Sequence, residues 1–288
     1  MVDLPAAEIP VINTTGCLSA NVTSADYEGE RRRTSGVQGY VAPMPVFALW
    51  SAPRARSTAF FRSMVERGDM VDVHEPFSDL AGLGETDVEG RPFDSPVSLL
   101  AWLADQTHDV DVFLKDTPNR RHHELLADRR FLAEAQHAFL IRRPEEIAAS
   151  LYAIVPDMGI DAIGLEFLHK LYTAVRDAGG HRPVVIDSDD LVARPAATMA
   201  AYCAAVELPF IPEALTWEPG ERHEWRRSAR WHVDVSASSG FAPHKRMYPH
   251  TVENSDELAR FAAHHLPFYK QLHAQRLDVA AWEPVVGS

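Results

Sequence analysis

The chain of 288 residues carries 41 acidic and 28 basic side chains, which gives a formal net charge of −13. A surface of this sign repels phosphate backbones and anionic lipid headgroups, so we expect neither nucleic acid nor a membrane as a partner. The 15 glycines and 20 prolines make up about 12% of the chain, and 46% of it is hydrophobic. These average shares exclude collagen-like and intrinsically disordered chains.

Cysteine content and the first residues bear on the cellular compartment. Two cysteines, Cys17 and Cys203, are too few for a disulfide framework and favour a reducing compartment. The first residues lack the basic start and apolar run of a secretory signal, and no apolar run reaches the length of about 18 residues that a membrane span needs. We therefore expect a soluble, cytoplasmic protein, and the sequence does not indicate its oligomeric state.

Residues 1–43 mix polar, small and turn-forming residues without sustained periodicity, which predicts an irregular N-terminal arm. From residue 44 onward, short apolar runs of strand length alternate with helical patterns. The predicted strands span residues 46–50, 70–73, 112–114, 138–141 and 183–186. The predicted helices span residues 57–67, 95–106, 119–135, 144–155, 162–178 and 195–206, with Ser57 and either Asp94 or Ser95 as candidate caps.

The apolar runs are too continuous for strands with one face in water. Strands buried on both faces are typical of parallel sheets covered by helices, so the alternation predicts an α/β fold with a doubly wound parallel sheet and helices on both faces. Residues 78–94 are predicted to be a loop. A tail rich in Trp, His and Arg begins at about residue 213 and ends in a predicted helix over residues 255–275. We predict one domain over residues 44–288, with this tail as a C-terminal lid.

The turn after the first strand is the first candidate binding site, because ligands of open parallel sheets lie beyond the carboxyl ends of the strands. Within five positions it combines two arginines, two hydroxyls and a helix start, which together suit an anion. The Gly-Lys-Ser or Gly-Lys-Thr of nucleoside triphosphatases does not occur, so the turn is a phosphate loop without the usual glycines. Alternatively, Arg54 and Arg56 are surface residues before a helix.

The turn after the fourth strand is the second candidate. Arg142 leaves the strand where a phosphate would be met, and Ser150 lies two helical turns further along, close to the same face. The alternative is an ordinary helix start, since Arg143, Pro144 and Glu145 also suit one.

The two turns together resemble the sulfotransferases that use 3′-phosphoadenosine-5′-phosphosulfate (PAPS). In that family, Pro-Lys/Arg-Ser-Gly-Thr/Ser-Thr binds the 5′-phosphosulfate, and the matching residues here are Pro53, Arg54, Ala55, Arg56, Ser57 and Thr58. About ninety residues on, Arg-Asx-Pro-x-Asp-x-x-x-Ser binds the 3′-phosphate, which gives Arg142 and Ser150 that role by resemblance. A strand, a turn and a helix over residues 184–210 extend the similarity to about residues 45–211. The resemblance implies the sulfotransferase fold, PAPS as donor, adenosine 3′,5′-bisphosphate as product and no metal.

The sequence also departs from the family pattern. Arg56 replaces the glycine of the first motif, and the aromatic residue that stacks on adenine in many members is Ala59, with Phe60 one place on. The eukaryotic Lys-Thr-His appears as Lys115, Asp116 and Thr117, without histidine. The Arg-Lys-Gly loop near the C-terminus is missing, and we expect Ser239 and Gly240 of the tail to close over the nucleotide instead.

Sulfuryl transfer needs a base, in-line alignment and positive charge on the departing phosphate. We assign that charge to Arg54 and Lys115, and the base to Glu75, with His74 second and Asp116 third. The alternative is that Glu75 only pairs with Arg54 or Arg56 to hold the loop. The histidines show no zinc spacing, so we expect no metal.

The acceptor is predicted to be a small molecule with a hydroxyl or amine group, and sulfation could serve to activate a hydroxyl for elimination. Two other functions stay open at this point. One is a kinase-like phosphoryl transferase, which the absent Lys-Ser/Thr and Mg²⁺ acids disfavour. The other is a non-catalytic nucleotide-binding module that kept the cradle and lost the base.

Overall fold

A computed structural model describes residues 46–105, 110–118, 122–222, 225, 231, 233–242 and 246–280. The N-terminal arm that the sequence predicts for residues 1–43 lies outside the described residues. All five predicted strands lie within them, and so does most of each predicted helix.

The core of the fold is a sheet of five parallel strands, and each predicted strand is confirmed within two residues. The strands are β1 (Val46–Ser51), β2 (Met70–His74), β5 (Asp111–Asp116), β6 (Gln136–Ile141) and β7 (Val184–Asp187), with the short antiparallel hairpin β3 (Thr86–Val88) and β4 (Arg91–Phe93) outside the sheet. The order across the sheet is β2-β5-β1-β6-β7. The central strand β1 is buried along its whole length, as its uninterrupted apolar sequence predicts.

Helices connect the strands. In chain order they are α1 (Ser57–Val65), α2 (Pro76–Leu83), α3 (Pro96–Leu103), α4 (His123–Ala127), α5 (Arg129–Glu134), α6 (Pro144–Tyr152), α7 (Leu165–Ala178), α8 (Ser188–Ala193), α9 (Pro195–Ala205), α10 (Val233–Ser236) and α11 (Asp256–His273), with 3₁₀ turns at Ile160–Ile163 and Pro212–Leu215. The predicted α/β fold is confirmed. None of the helices in the described ranges is both long and apolar enough to cross a membrane.

Three local predictions were wrong. The loop predicted for residues 78–94 contains the end of α2 and the β3–β4 hairpin. The helix predicted for residues 119–135 is broken at Asp128, whose carboxylate accepts a hydrogen bond from the Phe131 amide (2.9 Å) and so caps α5. Ser57 is the first residue of α1 and not its cap, a position that Arg56 takes, whereas Ser95 caps α3 as predicted.

Parallel register brings the carboxyl ends of neighbouring strands to one edge of the sheet. Trp50 of β1 lies opposite Asp116 of β5 and Phe139 of β6, and His74 of β2 lies opposite Lys115. The residues that follow these strands therefore converge, which is the geometric basis for one shared site at this edge.

A buried tryptophan of β1 and a buried histidine of β6 form a hydrogen bond inside the sheet. Trp50 and His137 are fully or almost fully buried. The Trp50 indole N–H donates to His137 Nδ1 (2.9 Å), so the other ring nitrogen, Nε2, carries the hydrogen that the Phe131 carbonyl oxygen accepts (3.2 Å). The ring is thus held in its neutral form, and burial lowers the pKa of His137 from 6.5 to about 4.

We expect acid to destabilise the fold through His137. Since its pKa is depressed in the folded protein, its contribution to stability is complete above about pH 6.5 and is lost as the pH falls toward 4. The difference in pKa corresponds to a loss of about 3 kcal/mol in the free energy of unfolding. Urea titrations at pH 7 and pH 4 would measure this loss, with His137→Gln as the comparison. The interpretation is contradicted if the variant loses as much stability between these two pH values as the parent protein.

Candidate active site

The turn between β1 and α1 has an unusual backbone for its sequence. Arg54 and Arg56 have φ angles of 60° and 66°, in the left-handed region that glycine adopts most easily. A side chain there costs roughly 1 kcal/mol or more, and such strain is concentrated at functional sites. Arg56, at the glycine position of the motif that the sequence resembles, therefore has a backbone conformation that glycine would adopt without strain.

The two candidate anion-binding turns meet in space. Arg142, which follows β6, donates from Nη1 to the carbonyl oxygen of Arg54 (2.7 Å). Arg54 in turn donates from Nε to Ser150 Oγ in α6 (3.1 Å). The arginines and hydroxyls that the sequence assigns to the two ends of one ligand thus form one group, which we call the cradle: Arg54, Arg56, Ser57, Thr58, Arg142 and Ser150.

The cradle is strongly cationic. Burial lowers the pKa of Arg54 and of Arg56, and the charge of Arg142 lowers both further. Glu146 binds Arg142 (2.8 Å), which neutralises one of the three guanidinium groups. Such a cluster of partly buried cations is stabilised when an anion binds, because its mutual repulsion is then compensated.

A cavity of about 990 Å³ connects the cradle with the ends of β2 and β5. All six cradle residues line it, and Glu75, Ser78, Lys115 and Thr117 line it as well. Residues of the tail form another part of the wall, among them Ser239 and Gly240. The volume is within the range that holds a whole nucleotide-sized ligand.

Beside the cradle, Glu75 lies between β2 and α2, where it is the N-cap residue of α2 and has a φ of 50°. Its Oε1 accepts hydrogen bonds from Lys115 Nζ and from Thr117 Oγ1 (2.8 Å). The Lys115 side chain is 2% exposed and that of Glu75 is 19% exposed. The Glu75 carboxylate, which lines the cavity, is thus fixed by a buried ammonium group and a hydroxyl.

The other two candidates for the base lie elsewhere. The His74 ring packs against Phe61 (ring centroids 5.0 Å apart) and Trp225 (6.0 Å), and it is not among the residues that line the cavity. Asp116 is fully buried and accepts hydrogen bonds from the Phe77 and Ser78 amides and from the Ser78 hydroxyl. Burial, and next the charge of Glu75, raise the pKa of Asp116.

Ala55 of the first motif and Phe60, which follows the motif, do not line the cavity. Ala55 is fully buried beneath the turn. Phe60, considered as a platform for adenine, is in the core, with its ring centroid 4.9 Å from that of Tyr202. Within the described part of the chain, no three His, Cys, Asp or Glu residues are grouped as metal ligands would be.

Sequence reasoning missed several residues of the cavity wall. Tyr248 donates from its hydroxyl to Ser150 Oγ (2.9 Å), and Arg246 pairs with Asp234 (2.6 Å) across the tail. The Trp231 carbonyl oxygen accepts from Arg54 Nη1 (3.1 Å). The signal that could have indicated them is the run of basic and aromatic residues in the tail. The sequence offers this run in place of the Arg-Lys-Gly loop.

The chain is similar to several known proteins. The profile of the sulfotransferase domain family matches residues 44–276. The branched-chain-amino-acid aminotransferase-like protein 2 of Arabidopsis thaliana is 30% identical over 224 residues, which are 72% of this chain and 38% of that protein. The chain therefore spans well under half the length of this relative, whose name describes the whole protein.

Solved structures with a similar fold include a sulfotransferase from Alicyclobacillus acidocaldarius, with 14% identity, a TM-score of 0.47 and coverage of 83% of this chain and 99% of that one. Mouse sulfotransferase SULT7A1 complexed with PAP has 11% identity and a TM-score of 0.42, with coverage of 82% and 89%. The family profile covers most of the chain, including both candidate anion-binding turns. The chain belongs to the sulfotransferase family.

Proposed function

We propose that this protein transfers a sulfuryl group from PAPS to a hydroxyl or amine of a small-molecule acceptor. The observation that carries the proposal is the single cavity that joins a cradle of three arginines to a carboxylate fixed by Lys115. The first feature suits a ligand with two anionic ends, and the second suits the removal of a proton from an acceptor.

The residues of the cradle fit such a donor. PAPS, when bound, supplies the sulfuryl group and leaves as adenosine 3′,5′-bisphosphate. Arg142, Arg56 and Ser150 would hold the 3′-phosphate. Ser57 and Thr58 at the N-terminus of α1 would hold the 5′ end, since the first amides of a helix lack partners within the helix and point at an anion. The lowered pKa values of Arg54 and Arg56 support this assignment, because they reflect cations without full compensation.

Glu75 is our candidate for the base. Lys115 and Thr117 both donate to its Oε1, and these two contacts fix the carboxylate, which lines the cavity. Lys115 would also stabilise the charge that develops on the departing phosphate, a task that the sequence assigned jointly to Arg54 and Lys115. Arg54 extends toward Ser150 in this structure, so Lys115 is the cation beside the base.

Asp116 and His74 are weaker candidates. The four hydrogen bonds that the Asp116 carboxylate accepts, from Phe77, Ser78 and Thr117, fix the start of α2 and so hold Glu75 in place. His74 packs among aromatic rings. We assign both residues structural roles.

Ligand-dependent stabilisation tests the proposed donor. Adenosine 3′,5′-bisphosphate at about 100 times its Kd should raise the free energy of unfolding by about 2.7 kcal/mol, visible as an increased Tm. ATP with Mg²⁺ should give a much smaller increase, because it lacks the 3′-phosphate that Arg142 and Ser150 would hold. An increase with ATP and Mg²⁺ alone would favour a kinase-like function and contradict the proposal.

Glu75→Gln tests the base. Glutamine keeps an oxygen that can accept from Lys115 and Thr117 but does not take up a proton at neutral pH. We expect turnover to fall by about 10²–10⁴, with the Kd of adenosine 3′,5′-bisphosphate changed less than about threefold. The rate would be followed as product formation from labelled PAPS, with an acceptor found by metabolite screening.

Glu134→Gln is the matched control, because Glu134 is an exposed residue paired with Arg130 on the outside of the domain. It should turn over at the parental rate. If Glu75→Gln also keeps more than about a third of the parental rate, Glu75 is not the base.

A further inference from the structure

The hydroxyl group of Ser150 has an unusual set of partners. Ser150 lies in the last turn of α6 and is 1% exposed, yet it lines the cavity. Its Oγ accepts one hydrogen bond from Arg54 Nε (3.1 Å) and another from the hydroxyl of Tyr248 (2.9 Å). The two donors come from parts of the chain 96 and 98 residues away from Ser150.

A serine hydroxyl has two acceptor lone pairs and one hydrogen. With both lone pairs occupied by Arg54 and Tyr248, the hydrogen of Ser150 has to point in a third direction. No described residue accepts this hydrogen, and Ser150 is one of the residues that line the cavity. The hydroxyl can therefore donate its hydrogen to a group that the cavity holds.

The chain just after Tyr248 is held in position. Two residues further on, the His250 ring packs edge-on against Tyr152 of α6, with ring centroids 5.3 Å apart. Val252 then packs against the hydrophobic core. The backbone next to Tyr248 is thus attached to the helix that carries Ser150 and to the core.

We propose that Tyr248 is a positioning residue that turns the Ser150 hydroxyl toward the phosphate group bound beside Arg142. This inference rests on the proposed function, because it presumes that the cradle holds a 3′-phosphate. Tyr248 acts through Ser150 and takes no part in the transfer itself. The hydrogen bond that it donates to Ser150 comes from the tail and thus from outside the two sequence motifs.

Calorimetric titration of the whole protein tests the proposal with two ligands. Adenosine 3′,5′-bisphosphate carries the 3′-phosphate, whereas adenosine 5′-phosphate lacks it. Tyr248→Phe keeps the ring and removes the hydroxyl. We expect it to weaken binding of the bisphosphate about tenfold, since a hydrogen bond to a charged group is at stake. Binding of adenosine 5′-phosphate should change less than about threefold.

A double-mutant cycle distinguishes positioning from a direct contact. In a Ser150→Ala background, Tyr248→Phe should have no further effect on bisphosphate binding, because the hydroxyl that it orients is gone. Tyr152→Phe is the control, as a tyrosine on the same helix that does not line the cavity, and it should bind both ligands as the parent does. The Tm of each free variant shows whether it is folded.

Several outcomes would overturn the inference. Unchanged or tighter bisphosphate binding by Tyr248→Phe would do so, as would an equal loss for both ligands or additive losses in the double variant. If the parent protein does not bind the bisphosphate at all, the proposed function fails and this inference fails with it. If the parent binds it and only the variants deviate from expectation, the proposed function stands and the role of Tyr248 is refuted.

Discussion

The site depends on the positive charge that three partly buried arginines bring to one edge of the sheet. Arg54 and Arg56 follow the central strand β1, and Arg142 follows its neighbour β6, close enough to donate to the Arg54 carbonyl oxygen. This arrangement lowers the stability of the free protein in two ways. Two arginines take left-handed backbone conformations, and burial lowers the pKa of both. A bound anion is the species that would compensate such a cluster.

The strand order explains how one ligand could meet both binding groups and a base. Because β1 lies between β5 and β6, the cradle forms on one side of the first turn and the Glu75–Lys115 pair on the other. A donor held by the cradle at both of its anionic ends would then have its sulfuryl group beside the Glu75–Lys115 pair. The tail then adds Trp231 and Tyr248 to the cradle side, so the cavity is completed by chain far from the motifs.

Much of the fold, and the meeting of the turns that carry Arg54 and Arg142, could be predicted from the sequence. Strands buried on both faces are uninterrupted apolar runs, and the parallel sheet that they imply makes the turns after β1 and β6 neighbours. The break at Asp128 and the three-residue strands of the β3–β4 hairpin were missed, because a single cap and very short strands leave no periodic signal.

Pairings between side chains could not be predicted in the same way. The sequence suggested Arg54 or Arg56 as a partner of Glu75, whereas the structure pairs Glu75 with Lys115, because His74 and Lys115 share a register position across β2 and β5. The contact of Tyr248 with Ser150 depends on the path of the tail over α6, which no local pattern encodes. Both are tertiary contacts, and they decide which cation binds Glu75 and which tail residue donates to Ser150.

Urea unfolding of Arg56→Gly, with and without adenosine 3′,5′-bisphosphate, tests the central claim. The claim is that the cradle lowers the stability of the free protein and that a bound anion restores it. Glycine adopts the backbone of position 56 without strain and removes one repelling charge, so we expect the free variant to be as stable as the parent or up to about 1 kcal/mol more stable. The stabilisation that saturating ligand adds should be clearly smaller than in the parent. A free variant that is less stable, with an undiminished gain from the ligand, would contradict the account.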